Sequence, residues 1–125
     1  IRFQANSAVF TAESEPALNA VAAELKRDPG LNLLITAFAD GSEPDGLSLS
    51  VTRAGQVVTW LTTHGIDGRR LVSKGCGSSR SLWAGHTEEQ RAANRRAELV
   101  RHSGLDGCTR PSSFLQFYSG DRASN

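Results

Sequence analysis

The residues best suited to binding chemistry lie in an ordered string between Ala37 and Leu99. It begins with Ala37-Phe38-Ala39-Asp40 and continues with Leu49-Ser50-Val51-Thr52-Arg53-Ala54, Gly65-Ile66, Arg70-Leu71 and Gly75-Cys76-Gly77. It closes with Arg91-Ala92-Ala93-Asn94-Arg95-Arg96-Ala97-Glu98-Leu99. An aspartate can hold an ammonium, and an arginine can hold a carboxylate through two parallel charge-assisted hydrogen bonds. One acid and two arginines fixed around one pocket would therefore select an amino-acid head group over a simple amine or a simple acid.

Other chemistries find less support. Ser50, His64 and Asp67 supply the side chains of a hydrolytic triad, but no Gly-x-Ser-x-Gly elbow is present to expose a nucleophile. The expectation is a domain that is not an enzyme. His64, His86 and His102 do not fall at zinc-ligand spacings and there is no Cys-x-x-Cys, so neither a metal nor a cofactor is expected. Lys and Arg total 14 against 13 for Asp and Glu, a net charge of +1, and no basic stripe marks a nucleic-acid surface.

At 125 residues the chain is long enough for one core. No stretch approaches the ~20 apolar residues that span a bilayer. The start at Ile1 without a signal-like segment reads as an excised domain or mature fragment, with any targeting signal outside it. Ile1-Arg2-Phe3 alternates like the end of a strand. Ser14 reads as a helix N-cap, followed by Leu18, Val21, Ala22 and Leu25 on one apolar face and stopped by Asp28-Pro29-Gly30. The apolar run from Leu31 to Phe38 suits a strand central in a sheet. A loop from Asp40 to Ser48 leads to a helix over about 49–64, with Leu49, Val57, Val58 and Leu61 facing the core and Gly65 ending it. Residues 69–74 read as a short strand, Thr87 as the cap of a short helix, and 95–101 as a last strand. The order βαβαβ(α)β predicts an α+β fold, a mixed β-sheet with helices packed on it.

The string of segments resembles the OmpA-like peptidoglycan-binding domain family, over about Ile1 to Val100. The resemblance implies non-catalytic, non-covalent binding of peptidoglycan through the diaminopimelate of its stem peptide, whose side chain ends in a free amino-acid group. It implies Asp40 as the acid, Arg53 and Arg95 as the arginines, Asn6 as a further contact, and Ala39 and Leu49 beside them. A periplasmic domain, monomeric or weakly dimeric, would then anchor a parent envelope protein whose membrane anchor or barrel lies outside this chain. The domain would span 1–101, with 102–125 as an extension packing back on it. In an envelope setting Cys76 and Cys108 suggest a disulfide, worth roughly 3–4 kcal/mol by the chain-entropy argument.

Blander readings stand beside these. Asp40 can cap a turn, Arg53 can be a surface helix residue, and Asn6 suits a turn as well as a ligand. Of Arg95 and Arg96, one is expected at the site and the other in solvent or a structural pair. The sequence also departs from the family. The Asp40–Arg53 interval is two residues shorter than usual, and the loop's customary asparagine is replaced by Asp45-Gly46-Leu47. Gly41-Ser42-Glu43-Pro44-Asp45 adds acids that would oppose a ligand carboxylate, and Arg80, Trp83 and His86 stand where proline is frequent. These departures, with the aromatic segment 114–118, motivate an alternative: an OmpA-like domain that has lost its ligand and serves protein–protein contact.

Overall fold

The computed structural model describes residues 1–79, 87–102 and 108. The tail segment 114–118 and the residues Arg80, Trp83 and His86 lie outside them. The elements run α1 (Ser14–Arg27), β1 (Leu33–Ala37), α2 (Gly46–Thr63), a 3₁₀ turn (Gly68–Arg70), β2 (Leu71–Gly75), α3 (Glu88–Asn94) and β3 (Ala97–Arg101). The strands form a mixed sheet in the order β2-β1-β3, with β1 parallel to β2 and antiparallel to β3. The expected α+β class stands. The first expected strand is represented by single bridges, Arg2 to Arg96 and Phe3 to Phe10, because the chain turns away after three residues.

The apolar run in β1 is buried at all five positions, as its continuous hydrophobicity demands of a central strand. Leu33, Ile35 and Ala37 share a core with Leu18, Val21 and Leu25 of α1, Val57 and Leu61 of α2, and Ala97 and Leu99 of β3. Two local expectations change. Ser14 is not the N-cap: it opens the helix, and its hydroxyl joins Thr11 and the backbone of Arg2, tying the N-terminal segment to α1. Leu49 is half-buried rather than in the core, since α2 starts at Gly46 and turns Ser50, Arg53 and Ala54 inward instead. The Thr87 capping box forms as read, with Gln90 answering Thr87. Among the described residues no helix is long and apolar enough to cross a membrane.

Two constraints act at the end of β2, the first of them against α2. The first is steric: a Cβ on Gly75 would lie 2.4 Å from the backbone nitrogen of Val51 and 2.7 Å from its Cα. The second is covalent. Cys76 is disulfide-bonded to Cys108, with Cα atoms 5.5 Å apart. Gly75→Ala is expected to destabilise the fold by about 1–3 kcal/mol in urea unfolding, because backbone atoms must move to admit the methyl group. Wild-type stability in that variant would show that the contact is loose. Cys108→Ser is expected to lower stability by about 3 kcal/mol in the same assay, an effect that reductant reproduces in the wild type.

Candidate functional site

The predicted site residues come from four places in the chain. Asn6 lies in the N-terminal segment, Ala39 and Asp40 follow β1, Leu49 and Arg53 ride on the first turns of α2, and Arg95 sits between α3 and β3. The fold gathers Asp40, Arg53 and Arg95 into one charged cluster, in which Asp40 pairs with Arg95 and Arg53 with Glu43.

Arg53 is fully buried. A guanidinium has five N–H donors, and each finds an acceptor within the protein. Nε donates to the carbonyl of Ser7 (2.9 Å), Nη1 to that of Phe38 (3.0 Å), and Nη2 to that of Gln4 (3.1 Å). The other two form a fork onto Glu43, Nη1 to Oε1 at 2.7 Å and Nη2 to Oε2 at 2.5 Å. The guanidinium also lies 5.3 Å from the centre of the Phe3 ring, within cation–π range. Arg53 is thus no surface helix residue.

Glu43 is the residue that sequence reasoning missed as a partner. From the sequence alone it reads only as an acid opposing a ligand carboxylate. Besides the Arg53 fork, its Oε1 accepts from the backbone nitrogen of Asp40 (3.0 Å) and its Oε2 from that of Asn6 (2.8 Å). The available signal was the coincidence of a shortened loop with an acid inside it, ten positions before a buried arginine. Asn6 takes the left-handed backbone (φ 56°) that lets its N–H face Glu43, so its turn role is real, while its side chain is exposed.

Asp40 is 1% exposed. Its Oδ1 accepts from the backbone and hydroxyl of Ser42, the former at 2.7 Å, and its Oδ2 from Nη1 of Arg95 at 3.0 Å. The turn-capping reading of Asp40 therefore holds, and the same carboxylate also pairs with Arg95. Burial pushes its carboxyl up, but the Ser42 and Arg95 hydrogen bonds together outweigh this and hold it below the ordinary 3.8. Arg95 is 6% exposed, and its Nη2 donates to Glu88, a side chain 66% exposed. The hydrogen bond from Arg95 lowers the Glu88 pKa. Nε of Arg95 is buried without an acceptor among the described residues. Of Arg95 and Arg96, Arg96 is the one in a structural pair away from Asp40: its Nε donates to Glu98 at 2.8 Å and the guanidinium covers the Phe38 ring.

Beside this cluster runs a groove of about 260 Å³ lined by Asn6, Pro44, Asp45, Ser48, Leu49 and Thr52. A larger cavity of about 450 Å³, between Arg2 and the face of α3 with Glu89, Gln90 and Ala93, contains none of the predicted site residues. The imagined triad is dispersed. Ser50 is buried, with its hydroxyl donating to the Leu47 carbonyl and accepting from Gly77 N–H. His64 stacks on Trp60, and Asp67 caps the 3₁₀ turn.

A carboxylate whose folded-state pKa is depressed stabilises the protein above its unfolded value, and that contribution is lost as pH falls through the folded value. Below pH 3.8, therefore, protonation of Asp40 progressively removes the buried partner of Arg95. The melting temperature of the wild type, followed by circular dichroism from about pH 6 to about pH 2.5, is expected to fall more steeply than that of Asp40→Asn. Parallel curves would show that Asp40 gains nothing from its ionised contacts.

Comparison with known proteins agrees with the fold. Residues 2–101 match the OmpA family. The peptidoglycan-binding protein ArfA of Mycobacterium tuberculosis is 38% identical over 85 residues, 66% of this chain and 26% of that protein. The probable lipoprotein YiaD of Escherichia coli is 30% identical over 102 residues, 80% of this chain and 47% of that protein. The chain thus spans about a quarter to a half of the length of these curated relatives. The crystal structure of the peptidoglycan-associated lipoprotein from Burkholderia pseudomallei superposes with a TM-score of 0.76 at 27% identity, covering 82% of this chain and 88% of that one. Over residues 2–101 the chain belongs to the OmpA family.

Proposed function

We propose that this domain binds peptidoglycan non-covalently through the free amino-acid end of diaminopimelate in the stem peptide, and so tethers a parent protein of the cell envelope to the wall. The observation that carries the reading is the convergence of Asp40, Arg53 and Arg95, from three separate elements, on one buried cluster beside a groove that Asn6 and Leu49 line. The names of two relatives, one a peptidoglycan-binding protein and one a peptidoglycan-associated lipoprotein, support the same class of ligand.

In this reading the ammonium of the ligand sits on Asp40, whose hydrogen bonds keep it ionised, and the carboxylate sits on a guanidinium. The cluster as folded spends these groups on one another, so docking requires an exchange of partners. Glu88 is the easiest to exchange, being an exposed side chain on the short helix α3. The periplasm is the proposed compartment, and the segment after Arg101 is proposed as an extension tied to the domain through Cys108.

One observation favours the alternative of a domain that has lost its ligand and serves protein contact: all five donors of Arg53 are already used. Calorimetric titration with meso-diaminopimelate, together with co-sedimentation on diaminopimelate-containing sacculi, separates the two. Saturable binding that Asp40→Ala weakens by about 2–5 kcal/mol is expected, as for removal of one partner of a desolvated charge pair. A folded wild type that gives no heat with meso-diaminopimelate and stays in the supernatant beside sacculi would overturn the peptidoglycan reading and favour the protein-contact one.

A further inference from the structure

The four N–H groups around Glu43 form a carboxylate cradle. Two come from the Arg53 fork and two from the backbone of Asp40 and Asn6, so each carboxylate oxygen receives two hydrogen bonds. Arg53 and Glu43 are 0% and 2% exposed in their side chains, so water does not compete for these bonds. Two of the four donors belong to segments far apart in sequence, Asn6 lying 37 positions before Glu43. Asn6 adopts a left-handed backbone, uncommon for a residue other than glycine, in the turn that aims its N–H at the site. A planar fork flanked by two backbone amides is a preorganised receptor for a carboxylate, and nothing in its geometry requires that the carboxylate be the protein's own.

We infer that Glu43 is a built-in occupant of this cradle and the residue that sets the domain's affinity for a ligand carboxylate, which must expel it to reach Arg53. The inference rests on the proposed peptidoglycan reading for the identity of the ligand, but the cradle itself does not. Glu43 is placed to leave as a unit with its loop. The loop reaches it in three residues from Asp40, and Pro44 and Asp45 beyond it are exposed, Asp45 in a left-handed conformation before α2. Expulsion would carry Glu43 into the adjoining groove, whose wall Pro44 and Asp45 already form. A site filled most of the time by its own side chain binds external ligand more weakly by the fraction of time it stands vacant.

The test compares Glu43→Ala and Glu43→Gln with the wild-type chain. Glu43→Ala leaves the donors in place around a space the size of a carboxylate. Acetate, at ionic strength matched with chloride, is expected to raise the melting temperature of Glu43→Ala saturably and to leave the wild type unchanged. Meso-diaminopimelate is expected to bind Glu43→Ala at least about tenfold more tightly than wild type, corresponding to a cradle vacant less than about a tenth of the time. Glu43→Gln covers the case in which the alanine variant does not fold without acetate. Its amide N–H groups face donors in the cradle, so it competes less well and should show a gain in the same direction. A folded Glu43→Ala that ignores acetate and binds meso-diaminopimelate no more tightly than wild type overturns the inference, as does a folded Glu43→Gln with unchanged affinity if the alanine variant cannot be prepared. Acetate binding without binding of meso-diaminopimelate or sacculi upholds the cradle and removes the peptidoglycan reading.

Discussion

The rest of the site depends on how a fully buried arginine is kept charged. Placing a guanidinium in the interior is expensive unless every donor is met, and breaking such a pair by removing one partner typically costs about 3–5 kcal/mol. Arg53 meets that demand by drawing on three stretches of chain at once: the turn after Phe3, the end of β1 and the loop leading into α2. The guanidinium is thereby the hub on which those segments are assembled. The N-terminal residues, which form only isolated bridges to the sheet, are fixed in part because Gln4 and Ser7 offer their carbonyls to it.

The same demand explains the division of labour between the arginines. Arg53 takes Glu43, Arg95 takes Asp40 and Glu88, and Arg96 takes Glu98. The buried charges balance pair by pair, which is how a near-neutral chain keeps several ionised groups in its interior. The pairs are not equally closed. The Arg53–Glu43 pair is sealed on both sides, whereas Arg95 shares its charge with an exposed glutamate and keeps one buried N–H without an acceptor among the described residues. On the proposed function, a ligand with both an ammonium and a carboxylate would meet a site that is already ion-paired. Its affinity is then a difference between two sets of similar contacts rather than the sum of one.

The framework was legible in the sequence where periodicity or local chemistry controls the outcome. The apolar face of α1, the buried strand β1, the Thr87 capping box and the stop after Thr63 follow from spacing and from residues such as Gly65 within a few positions. Local reading failed where a side chain had a better partner far away. Ser14 has every attribute of an N-cap, but its hydroxyl bonds the backbone of Arg2, twelve residues earlier. Leu49 starts the apolar pattern and so reads as core, yet the earlier start of α2 turns Ser50 and Arg53 inward and leaves Leu49 on a groove wall.

By itself the sequence determined the α+β class, the order of elements, the family resemblance and three members of the charged cluster, Asp40, Arg53 and Arg95, because these reside in periodicity and in the ordered residue types of short segments. Only the tertiary structure decided how those charges pair. Glu43, ten residues before Arg53, holds the fork expected to face a ligand, and Asp40 turns to Arg95, 55 residues away. The physical reason is that a buried ion pair is chosen by the sites the folded backbone brings within about 3 Å and shields from water. Neither the distance nor the shielding exists until the sheet, α2 and the N-terminal segment have come together.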